Sequence, residues 1–223
     1  MDPTSPLTNK RLRTPRAAAI AGILFSGLLI AVLLLFLSAV PKDALDQGAW
    51  LSADLGNIVL AINLIPFAGI AFLWFIGVVR DRMGDAEDRL FSTVFLGSGI
   101  LFLAMIFVAA ALLGAMVVVQ RAQPGILANS TTFALTRAFA YAIVNVYAIK
   151  MAGVFMLITS TIAVRTAFVA RWMAAPGFAM ALFLLFASQW FDWSFIVFPV
   201  WVLLISVYIL IANLRDRAPR AAT

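Results

Sequence analysis

The chain has 223 residues, 64% of them hydrophobic and only 12% charged, with a formal net charge of +6 and a mean hydropathy of +1.05. Soluble domains carry about 25% charged residues, so this composition is of the membrane class, with room for several spans and short loops. Cysteine and histidine are both absent. That excludes disulfides, iron–sulfur clusters, histidine-ligated haem, the usual histidine metal sites and any Ser–His or Cys–His catalytic pair.

Residues 1–16 form a basic head with Lys10, Arg11, Arg13 and Arg16 against Asp2, rich in Pro, Ser and Thr. The expectation is a disordered cytoplasmic arm. Ala17 to Val40 follows as an apolar run. It is too long for a signal peptide, whose apolar region runs to about 15 residues, and no small-residue cleavage site follows. It is therefore a retained first span, with Ala18, Gly22 and Ser26 as a small-residue stripe for close helix contact.

Pro41 to Ser52 reads as an acidic outer loop. Ser52 is the candidate cap of a second helix over about Ala53 to Val79, with Asp54 in its first turn. This helix contains Asn57, Asn63 and Pro66. Pro66 lacks the N–H that would bond the carbonyl of Ile62, so an acceptor is left free inside the span. The loop from Arg80 to Arg89 is charged, with Gly84 for the turn and Asp85 as a cap, and reads as a tight hairpin connection rather than a metal site.

Phe91 to Val119 is the third span, and Gln120 to Thr132 a second outer loop. The fourth span, Arg137 to Arg165, is long enough to cross a bilayer yet carries Asn145 and Lys150. The fifth, about Trp172 to Gln189, is the shortest, with Pro176–Gly177 expected in its first turn. The sixth runs from Ser194 to Asn213, and residues 214–223 form a basic tail.

With the N-terminus inside, twelve basic residues fall on the inner side: four in the head, three and two in the inner loops, and three in the tail. Only Lys42, Arg121 and Arg137 fall outside. Such a bias fixes orientation. The chain is expected to be an all-α polytopic membrane protein, with a six-helix domain over residues 17–213 and both termini cytoplasmic. The ends of the second and sixth spans, VVRDR and NLRDR, echo each other, each with an upstream proline. A duplicated hairpin and convergence on the same membrane-exit chemistry both explain this.

Lys150 is the anomaly. An ammonium at the centre of a span costs about 2.5–3.5 kcal/mol on insertion scales. Measured along its own helix it is about 20 Å from Arg137 and about 22 Å from Arg165, which places it near mid-membrane. Tyr147 shares its face and Asn145 lies on an adjacent stripe. Candidate partners at similar depth are Asn63 and the carbonyl freed by Pro66, with Asp54 nearer the outer side. Three roles compete: a structural lysine bonded to carbonyls in the bundle, a contact to another subunit or a lipid headgroup, and a solute or anion site.

The segment FLWFIGVVRDRMGDAEDRLFSTVFLGSGILFLAMIFVAAA, residues 72–111, resembles uncharacterised multi-pass membrane proteins of actinobacteria. The resemblance implies a bacterial plasma membrane and carries no activity with it. With no nucleophile–base or acid–base set to assemble, an enzyme is not expected, and neither is a metal or cofactor. The function expected is a structural or accessory role in a larger membrane assembly, with a small-solute or anion transporter or channel using Lys150 as the alternative. The partners expected are the lipid bilayer and other membrane subunits or further copies of the chain. Nucleic acid is not among them, because the basic residues serve topology.

Overall fold

The computed structural model describes residues 15–40, 55–83, 89–166, 171–191 and 193–215. All regular structure among them is helical. Helix α1 runs Pro15–Ala39, α2 Leu55–Met83 and α3 Arg89–Ala122. Helix α4 is continuous over three stretches, Thr131–Ala142 (α), Ile143–Ala148 (π) and Ile149–Thr166 (α). Helix α5 changes ladder twice, from Arg171–Leu182 (α) through Phe183–Ala187 (π) to Ser188–Trp190 (3-10). Helix α6 opens with a 3-10 turn, Ser194–Ile196, and continues as Val197–Arg215. All six are long and apolar enough to cross a membrane, as a multi-pass membrane protein requires.

The end of the bundle where α1 starts is called basal here, and the opposite end apical. Helix α1 lies between α2 and α6; α3 packs on α2 and α4, and α5 leans on α4. A near-continuous cluster of rings fills the centre. Phe72 of α2 lies 4.6 Å from Phe25 of α1, 5.6 Å from Phe102 of α3, 5.3 Å from Phe155 of α4 and 5.7 Å from Phe198 of α6, measured between centroids. Phe95 stacks on Phe155 at 4.7 Å. Aromatic pairs at these distances add about 0.5–1.5 kcal/mol each beyond the area they bury. For helices placed in hydrocarbon, where apolar burial gives little reason to associate, such packing would carry much of the cohesion. Among the described residues α5 adds no ring to this cluster.

A second cluster closes the apical end. Ala39, Ile58, Met116, Val117, Leu127 and Phe133 bury each other at the tops of α1, α2, α3 and α4. The α3–α4 connection is shorter than the sequence suggests, because α3 continues to Ala122. Gly125 (φ 86°) and Asn129 (φ 59°) take left-handed conformations in it, which glycine and asparagine tolerate best. Ser130 caps α4: its Oγ accepts from the Phe133 N–H at 3.1 Å. At the basal end the Arg165 guanidinium sits 4.4 Å from the Phe91 ring centroid, aligning the feet of α3 and α4.

The prolines and the hairpins bear on the sequence reading in three ways. Pro176 lies inside α5, which starts at Arg171, rather than in its first turn. Pro66 sits on the exposed side of α2, and the acceptors of Lys150 come from α5 rather than from the carbonyl that Pro66 frees. The hairpins compared as a possible repeat are packed differently: α1 runs closely along α2, whereas α5 and α6 touch only lightly. The expected caps Ser52 and Asp85 and the first-turn Asp54 lie outside the described residues, as do the arm of residues 1–14 and the tail from residue 216.

Candidate functional site

The seam between α4 and α5 is built from small residues. A Cβ placed on Gly177 of α5 would overlap Ser160 Oγ and stand 3.0 Å from Trp201 Nε1. One placed on Gly153 of α4 would stand 3.0 Å from Leu185 Cγ and 3.2 Å from the Ala181 carbonyl oxygen. Two glycines on facing helices thus let the backbones approach closely, as in small-xxx-small packing.

Lys150 is the next residue up this seam, one turn apical of Gly153. Its Nζ donates to the Leu184 carbonyl at 3.1 Å, to the Leu185 carbonyl, and to Ser188 Oγ at 3.2 Å. An ammonium has three donors and no acceptor. Three acceptors meet them.

Those acceptors are where α5 ends. The last carbonyls of a helix have no partner within their own ladder. In α5 the ladder widens to π over Phe183–Ala187 and tightens to 3-10 over Ser188–Trp190 before it stops. The C-terminus also carries the negative end of the helix dipole, which favours a cation by about 0.3–1 kcal/mol at exposed sites and more where partly buried. Lysine side chains cap their own helix ends in this way. Here the lysine comes from the neighbouring helix.

The contact also fixes the level of Lys150. Leu185 stands thirteen residues beyond Trp172, about 20 Å along α5, and Trp190 only about 8 Å further on. The lysine therefore lies near the apical end of the shorter helix. Judged against α4 alone it looked central, because α4 runs another nineteen residues past it to Thr131, about 28 Å.

The other sequence candidates do not converge on it. The Asn63 Nδ2 donates to the Val59 carbonyl of its own helix at 2.9 Å. The Asn145 Nδ2 likewise donates to the Tyr141 carbonyl at 3.1 Å. Tyr147 is exposed, and Asp54 lies outside the described residues. Asn145 makes this back-bond inside the π turn, whereas Asn63 makes it within a regular α-helix. In that turn the Ile149 N–H bonds the Val144 carbonyl, five residues away. Sequence reasoning missed Leu184, Leu185 and Ser188; the two leucines act through main-chain carbonyls, which have no signature in the residue types. The usable signal was the shortness of the fifth span with a serine in its last turn.

Beside the seam lies an apolar cavity of about 30 Å³, walled by Val144 and Ala148 from the π turn of α4, Leu184 from that of α5, and Phe102, Phe195 and Phe198. It has room for about one small molecule of water size and no polar side chain to orient it. Among the described residues no group of His, Cys, Asp or Glu could hold a metal ion. Compared with known proteins, the chain matches no family model, no curated protein and no solved structure.

Proposed function

We propose that this chain is a non-enzymatic integral membrane protein with six spans and both termini cytoplasmic, acting as a structural or accessory component of a larger assembly in a bacterial plasma membrane. The orientation rests on the twelve-to-three distribution of basic residues. Exposed Trp172 at the basal end and exposed Trp190 and Trp193 at the apical end suit two interfacial belts. Trp172 and Trp190 are about 27 Å apart along α5, close to the thickness of a hydrocarbon core.

The observation that carries the assembly reading is the overhang of α4. Leu135 lies fifteen residues past Lys150, about 22 Å along the axis, and so about 15 Å beyond the level of Trp190. Along this stretch Leu135, Phe139 and Tyr141 are all more than half exposed. Leu135 and Phe139, one turn apart, share a face, and where such apolar side chains stand above the interfacial tryptophans they mark an interaction site rather than a lipid-facing surface. Another membrane subunit covers it in this reading. The transport alternative is weakened by the complete engagement of Lys150 and by the aromatic filling of the bundle.

The test is extraction of the tagged chain from its own membrane in a mild detergent, followed by native mass analysis. A reproducible co-purifying membrane protein is expected. A bare monomer contradicts the assembly reading. Solute flux in proteoliposomes that falls on Lys150→Ala would favour transport instead.

A further inference from the structure

We infer that the Lys150 contact is a latch: it holds the apical end of α5, with the α5–α6 corner attached, against α4, and its release lets that end swing away about Pro176–Gly177. Four observations point there. Helix α5 is the least embedded of the six, with 28% of its spanning window buried against 33–44% for the others. Its basal half is held on two helices, by Gly177 against Ser160 and Trp201 and by Trp172 against Tyr208 at 6.4 Å. Above Gly177 its close backbone approach and its polar contacts are to α4, at Gly153 and at the lysine, while Ala181 and Leu184 pack into the central apolar cluster.

The third observation is that this upper half is where the ladder is irregular, from Phe183 to Trp190, and short 3-10 and π stretches concentrate at hinges and functional sites. It sits beside a proline and a glycine, usual places for a helix to bend. Fourth, the corner beyond it is a self-contained unit. Phe183, Phe191 and Trp193 pack on one another at 5.4–5.6 Å, so the end of α5 moves with its turn rather than fraying. Leu184 belongs to both parts of the device: its carbonyl receives Lys150 and its side chain walls the apolar cavity. Opening the latch withdraws that wall and widens the cavity towards the apical side.

Because the chain has no cysteine, two introduced cysteines report on this directly. Spin labels at Ala138→Cys and Gln189→Cys, both exposed, span α4 and the end of α5. A second pair at Val164→Cys and Ala175→Cys spans the basal part of the same seam. In lipid nanodiscs the apical pair is expected to give one narrow distance distribution with Lys150 in place. With Lys150→Met it gains a component longer by about 5 Å or more, the rise of one helical turn, while the basal pair stays narrow. Ser188→Ala removes one acceptor and keeps the lysine, and is expected to give a smaller apical broadening. It also serves as the test should Lys150→Met fail to yield monodisperse protein. Unchanged apical distances in the folded variants overturn the latch. So does equal broadening of both pairs, which would mean a general loosening of the bundle.

Discussion

Lys150 shows how a costly residue becomes a stabilising one by position. Its cost in apolar surroundings and the unmet acceptors at the end of α5 are two separate liabilities, and bringing them together offsets both. Replacement by methionine, similar in length and apolar, is therefore expected to destabilise the bundle by about 1–2 kcal/mol, the range of polar contacts between membrane helices. Unfolding midpoints in detergent check this, and an unchanged midpoint would mean the contact adds nothing net. Lysine to arginine keeps the charge but not the compact point donor, so partial retention is expected. The lysine was legible in the sequence as an anomaly, but its partners were not. Asn63 and Asn145 drew attention because their side chains are polar, yet each spends its amide on the carbonyl one turn back in its own helix. The groups that matter at Leu184 and Leu185 belong to the backbone, and only the end of a helix makes them available.

At the scale of the helix, two contacts of glycine against serine set how closely neighbours approach. Gly22 of α1 faces Ser206 of α6 as Gly177 of α5 faces Ser160 of α4, and the hydroxyls of Ser206 and Ser160 are buried without a hydrogen-bond partner. Their role is steric fit. A methyl group on Gly22 would overlap Ser206 Oγ and stand 2.8 Å from Phe75 Cδ2. Gly22→Ala is expected to cost about 1–3 kcal/mol by overpacking. Adding Ser206→Ala, which removes the overlapping oxygen, should recover part of that loss in a double-mutant cycle. Additive effects would mean the two helices do not meet there. The stripe containing Gly22 and Ser26 was readable at helical spacing, and both residues are buried in the structure. The π turns were not readable, because IVNVYA and FLLFA fit an α-helix equally well by residue type.

At the scale of the whole molecule, six helices long and apolar enough to cross a membrane were legible because each is a long apolar run between charged or turn-forming residues. The order of packing was not, since hydropathy says nothing of which helix touches which. The ring cluster decides it: phenylalanines scattered over five helices meet around Phe72, and Phe72→Ala is expected to cost about 3–5 kcal/mol as a buried large-to-small change. On the overhang the expectation is opposite. Phe139→Lys, exposed and far from that cluster, should leave the unfolding midpoint unchanged while removing a co-purifying subunit; retention of the partner would place its contact elsewhere. The different heights of α4 and α5 connect these scales, since they both create the overhang and bring the end of α5 to Lys150. That pairing is open to direct measurement, because Lys150 is one of only three lysines, beside Lys10 and Lys42. Solid-state NMR of protein in lipid, with lysine labelled at 15Nζ and leucine at 13C′, reads the nitrogen-to-carbonyl dipolar coupling. A lysine nitrogen about 4 Å from leucine carbonyl carbon, the separation that a hydrogen bond imposes, lost on Lys150→Arg, is the expected result. No such coupling in the folded protein would contradict it.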